Sequence, residues 1–270
     1  MRWRSVVEFE HAGTTTHVHR LGPDTDQQHV LVHGIGMGRH YLTPLAESLA
    51  GSGGVHVLEL PGFGDAPTPD EPLTVEQLAA VVLAYVRRTG MTRPVLVGHS
   101  MGAQVVVEAA LQGPDVVGPV VAVAGVVDPG ARSASRQGMR LLADLFVETP
   151  STVAALVRDW LRTGPRRYLE TVPLMLDYRT EEAAVRLPVP LLVVRGDRDP
   201  VAPHDWADQL ARLAPDGRLV EVPGAHAVMF TRPGEVAQQI VLHGLRGAAA
   251  AGEDVGGEDV AGEDVAGTVR

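Results

Sequence analysis

Between the apolar run Pro94-Val95-Leu96-Val97 and a following Ala/Val/Glu/Leu-rich segment of helical spacing lies Gly98-His99-Ser100-Met101-Gly102. An apolar strand must give way to a helix within five residues, with a serine at the apex. Gly-x-Ser-x-Gly suits that task because glycines let strand and helix approach closely while the serine takes the sharp turn. A serine hydroxyl is a poor nucleophile in water, so serine chemistry also needs a base nearby and N–H donors for developing charge. The elbow therefore predicts an acid and a histidine further along the chain.

The remaining chain reads as strands alternating with helices. Expected strands are Trp3–Phe9 and Thr15–Arg20, joined through His11-Ala12-Gly13, then His29–Val32, Val55–Leu60, Pro94–Val97, Pro119–Val127, Pro190–Val194 and Leu219–Val222. Most are unbroken apolar runs, as strands covered on both faces require, so the expected fold is α/β: a mostly parallel eight-stranded sheet with helices on both faces. Helical patterns span Tyr41 to Ala50, the stretch after the cap Thr74, the stretch from the elbow to Leu111, and Pro233 to Leu245. Between Asp128 and Arg186 strand alternation stops. Leu141, Leu142, Leu145 and Phe146 form one stripe, Thr149-Pro150 starts a second helix that ends at Gly164, and Pro165 opens a third. The expected organisation is a core of residues 1–127 and 187–247, a helical lid of residues 128–186, and an acidic Gly-Glu-Asp-Val repeat tail of residues 248–270 with too little apolar surface to order itself.

Composition removes several function classes. The chain has no cysteine and no lysine, which excludes thiolate and Schiff-base lysine chemistry. A net charge of −10, half of it in the tail, disfavours a nucleic-acid partner. No apolar run has membrane-span length and the first residues lack a signal-peptide core, so a cytoplasmic protein without a membrane partner is expected. The histidines show no metal-ligand spacing, so no metal and no cofactor are expected.

The acid and the base are both present. Gly196-Asp197-Arg198-Asp199-Pro200 follows one strand and Gly224-Ala225-His226 follows the last, both at the carboxyl edge where open parallel sheets place their sites. His226 is the expected base for Ser100. Backbone N–H groups of Ile35, after His33-Gly34, and of Met101 are the expected oxyanion donors.

With these motifs, His33-Gly34-Ile35-Gly36 and Pro61-Gly62-Phe63-Gly64, the chain resembles the α/β-hydrolase superfamily, in its small lidded esterase, lipase and C–C-bond hydrolase branch. The resemblance spans residues 29 to 245 and implies that Asp199, rather than Asp197 or Asp128, is the acid. Tyr41 and Ala66 depart from common family residues at positions expected to lie away from the chemistry. Substrate-pocket residues are expected at His33, Gly34, Trp160 and Val201, with His33 and His99 otherwise structural. Hydrolysis of a small ester, thioester, lactone or related carbonyl compound is the implied activity. C–C hydrolysis, a lyase or cyclase step, or ligand binding without turnover are the alternatives. Arg158, Arg162, Arg166 and Arg167 point to a carboxylate on the small-molecule substrate.

Overall fold

Along each central strand successive side chains enter opposite cores. In the computed structural model, which describes residue 3 and residues 5–255, Leu96, Val120, Ala122, Leu191 and Val193 face one core, and Val95, Val97, Val121, Leu192 and Val194 face the other. That alternation, with apolar residues at both parities, is why these runs are continuous in sequence.

The strands are β1 (Ser5–His11), β2 (Thr14–Leu21), β3 (Gln28–Val32), β4 (Gly54–Glu59), β5 (Val95–His99), β6 (Val120–Val123), β7 (Leu191–Gly196) and β8 (Gly217–Val222). They form one eight-stranded sheet in the order β1-β2-β4-β3-β5-β6-β7-β8. β1 and β2 pair antiparallel through Ala12 and Gly13, both at positive φ, the twist a two-residue hairpin prefers. β2 also runs antiparallel to β4, and all later pairings are parallel.

The helices are α1 (Thr43–Leu49), α2 (Val75–Thr89), α3 (Met101–Gln112), α4 (Ala134–Asp144), α5 (Pro150–Thr163), α6 (Pro165–Asp177), α7 (Thr180–Val185), α8 (His204–Leu213), α9 (Val228–Thr231) and α10 (Pro233–Val255). α2, α3 and α8 supply one core, α1 and α10 the other. Thr74 caps α2 in a reciprocal box with Gln77, and Thr149 caps α5 with Pro150 as its first residue. Helices α4 to α7 form an insertion between β6 and β7, at the carboxyl edge of the sheet.

Four local expectations are corrected. The run from Pro119 to Val127 is a strand only to Val123, because Ala124 and Val127 adopt positive φ and turn the chain out of the sheet. α7 and α8 were not anticipated. The Leu141-to-Phe146 stripe is not one helix face, since α4 ends at Asp144 and Phe146 is exposed. Finally, α10 runs to Val255, ten residues past the expected stop at Leu245, into the first part of the acidic tail; its alanine run Ala248–Ala251 is a strong helix former. Residues 256–270 of the expected tail lie outside the described residues. No helix among the described residues is long and apolar enough to cross a membrane.

Candidate active site

Ser100, between β5 and α3, has φ 56° and ψ −119°, a conformation that costs a side-chain-bearing residue about 1–3 kcal/mol and persists only where its surroundings enforce it. Enforcement comes from close packing around the turn. A Cβ on Gly102 would lie 2.5 Å from the Val32 carbonyl oxygen and 2.6 Å from that of His33, and one on Gly98 would strike the Gly102 carbonyl. The Ser100 N–H donates to Val123 O at 2.9 Å, tying the apex to β6. Its hydroxyl has no hydrogen-bond partner among the described residues, and it opens into a cavity.

The turns after β7 and β8 bring Asp199 and His226 together. Asp199 Oδ2 lies 2.9 Å from His226 Nδ1, while Asp199 Oδ1 accepts the N–H groups of Val201 and Ala202 at 2.7 and 3.0 Å. The carboxylate is thus held by its own turn and aimed at the imidazole. The other two acids are committed elsewhere: Asp197 accepts the Gly224 N–H at 2.9 Å, and Asp128 pairs with Arg140. With Nδ1 engaged by a carboxylate, the neutral imidazole keeps Nε2 as its acceptor nitrogen, the one able to take a proton from serine.

A second chain of hydrogen bonds links the loops. Tyr41 Oη accepts the Gly34 N–H at 2.6 Å and donates to His99 Nδ1 at 3.1 Å; His99 Nε2 then donates to the His226 carbonyl at 3.1 Å. Burial holds the His99 pKa well below 6.5, and the His226 field adds to this, so the ring stays neutral beside His226 at 4.8 Å between centroids. His33 Nε2 accepts the Leu60 N–H, and its Nδ1 donates to Gly34 O at 2.8 Å. Gly34 is therefore gripped on both sides, fixing the loop that presents Ile35. The amides of Ile35 and Met101 donate to no acceptor among the described residues; Met101 is the first residue of α3, where no intrahelical acceptor exists. Tyr41, expected to be remote from the chemistry, instead spans the loop and the elbow.

Ser100, His99 and His226 line a cavity of about 460 Å³ whose walls are Gly34, Ile35, Met37 and insertion residues including Leu141, Leu142, Leu145, Leu156, Val157, Trp160 and Tyr168. Gly34 and Trp160 are among the residues that line it. His33 and Val201 do not reach the wall; both are buried behind it. None of the four arginines lines it either: Arg162 pairs with Asp65, Arg166 with Glu170, Arg167 donates to the Pro69 carbonyl, and Arg158 is exposed. The cavity wall is mostly apolar and carries one carboxylate, Asp144, which no sequence motif marks.

Burial works to lower the His226 pKa, but the Asp199 carboxylate, with Asp144 and Glu148 behind it, outweighs burial and the net shift is upward from 6.5. A base works in its neutral form, which a raised pKa confines to higher pH. The acid limb of kcat/KM for an uncharged ester should therefore have its midpoint above 6.5, measurable between pH 5 and 9; a midpoint below 6.5 would contradict this electrostatic picture.

The sequence model of the alpha/beta hydrolase family matches residues 30–239. Among curated proteins, a pimeloyl-[acyl-carrier protein] methyl ester esterase of Neisseria meningitidis is 25% identical over 231 residues, 76% of this chain and 88% of the relative. The biotin biosynthesis bifunctional protein BioHC of Cellvibrio japonicus is 26% identical over 229 residues, 76% of this chain and 45% of that protein. The chain spans less than half the length of two of the curated relatives it matches. Among solved structures, the enol-lactonase of Burkholderia xenovorans superposes with a TM-score of 0.76 at 22% identity, over 88% of this chain and 99% of that one.

Proposed function

The chain belongs to the alpha/beta hydrolase family, and on that premise we propose that it is a serine hydrolase acting through an acyl-enzyme on an uncharged ester, thioester or lactone with an apolar acyl group. The observation that carries this reading is the Asp199–His226 hydrogen bond beside a strained, unbonded Ser100 hydroxyl in one apolar cavity. Ser100 attacks the carbonyl carbon as His226 takes its proton. The same proton then passes to the departing oxygen or sulfur, and a water activated by His226 releases the acid. Ile35 and Met101 N–H groups receive the oxyanion, and Asp199 holds the imidazole tautomer. The hydrolase relatives, one named for a methyl ester and one fold neighbour for an enol lactone, support acyl–oxygen cleavage as the reaction class.

Residues 128–186 serve as the lid that selects the acyl group. A wall of leucine, valine and tryptophan with no arginine favours hydrocarbon over a carboxylate, which replaces the carboxylate-bearing substrate expected from the sequence. Each methylene buried there contributes about 0.8 kcal/mol, so kcat/KM for p-nitrophenyl esters should rise about fourfold per carbon from acetyl towards hexanoyl. Leu156→Trp, which fills the wall, should flatten that rise while sparing the acetyl ester. A chain-length profile already flat in the unaltered protein would refute the acyl-pocket assignment.

A further inference from the structure

Two buried carboxylates of the helical insertion bond to successive backbone amides of the turn that carries His226. Asp144, the last residue of α4, accepts the His226 N–H at 3.1 Å, and Glu148, four residues on, accepts the Ala227 N–H at 2.6 Å. Their residues are 2% and 9% exposed. α4 is also fastened to the core by Arg140, which pairs with Asp128 and donates to the Val201 carbonyl at 3.5 Å. Neutral amides could be satisfied by any carbonyl or side-chain amide, without the cost of burying charge. The cost is highest at Asp144, which sits at the negative end of its helix.

We propose that Asp144 and Glu148 are positioning residues for the base: from the insertion they fix the His226–Ala227 turn, and their negative charge stabilises the imidazolium formed during turnover. This rests on the serine-hydrolase reading above. The groups facing the His226 imidazole are Asp199 from the turn after β7, His99 from the elbow, and Asp144 and Glu148 from the insertion. His99 stays neutral, so it does not oppose the imidazolium, and both insertion carboxylates act on His226 in the same upward direction as Asp199. Burial, with Glu148 beside it, raises the Asp144 pKa to about 6, so the carboxylate is charged at neutral pH and loses its influence in mildly acid solution. The insertion thereby joins substrate selection to the competence of the base, since the helix that lines the cavity also holds the histidine.

The test uses Asp144→Asn/Glu148→Gln in the full chain. These amides retain an acceptor oxygen for each N–H, so the turn can stay bonded while the charge is removed. Expected results are a kcat about tenfold lower, a KM within about twofold, and an acid limb of kcat/KM displaced to lower pH, because losing negative charge lowers the His226 pKa. Asp144→Ala/Glu148→Ala, which also removes the acceptors, should cost about 100-fold through misplacement of the base. An NMR titration of the His226 ring in both proteins reads the same displacement without turnover. The proposal is overturned if the amide variant titrates at the unaltered pH, or if its rate loss simply follows a lower Tm with the limb unmoved. Absence of Ser100-dependent turnover in the unaltered protein would count against the serine-hydrolase reading, while the NMR titration would still decide the electrostatic coupling.

Discussion

Ser100→Ala is expected to lower kcat on a p-nitrophenyl ester by about 10⁴-fold or more, with thermal unfolding nearly unchanged. The stability half follows from what the hydroxyl does not do: it has no hydrogen-bond partner among the described residues, and its N–H bond to Val123 is independent of the side chain. Alanine also meets the same steric objection to φ 56° that serine does. Ser100→Gly should be equally inactive but more stable, by about 1 kcal/mol or a few degrees in Tm, because glycine accepts that conformation without strain. Inactivity with gained stability in the glycine variant would identify the elbow as a place where fold stability is sacrificed to position a hydroxyl. Paired kinetics and calorimetry on the two variants read both effects.

Asp199→Asn is expected to reduce kcat by about 10³–10⁴-fold while leaving the chain folded. The side-chain oxygen of asparagine still accepts the Val201 and Ala202 N–H groups, so the turn after β7 survives. Its amide, however, donates to His226 Nδ1, which forces the ring proton onto Nε2 and removes the acceptor that serine requires. Asp197→Asn supplies the contrast. Asp197 bonds the Gly224 N–H rather than the imidazole, and an asparagine oxygen retains that bond, so activity should stay within about tenfold of the unaltered protein. Equal losses in the two variants would contradict the assignment of the acid.

The elbow and the sheet were legible because their constraints are local. A strand that must become a helix across a serine needs glycines at fixed offsets, and strands covered on both faces are apolar at most positions, without the alternation of a half-exposed strand. The choice of Asp199 over Asp197 was not legible from spacing, since both follow β7 within three residues; the family pattern selected Asp199, and the structure shows its turn aiming it at His226. The end of β6 is not legible in the sequence, because Ala124 and the β-branched Val127 adopt φ 49° and 65°, against the local propensity of an apolar run. Asp144, Glu148 and Asp159 were invisible for a different reason. Their partners lie far away in sequence: Asp144 reaches 82 residues to His226, Glu148 reaches 79 to Ala227, and Asp159 reaches 119 to His40. Which face an inserted helix turns to the core depends on its docking, and nothing in a helix's own periodicity marks an acid that will bond a distant turn.

Covalent labelling of the intact chain with a fluorophosphonate, followed by peptide mapping, tests the central claim most directly. The tryptic peptide Thr89–Arg132 contains one serine, Ser100. The expected result is a single adduct per chain on that peptide, absent from Ser100→Ala and formed more slowly below the pH at which His226 becomes protonated. Ester turnover that persists with no adduct on this peptide, or with the label on another residue, would contradict Ser100 as the nucleophile.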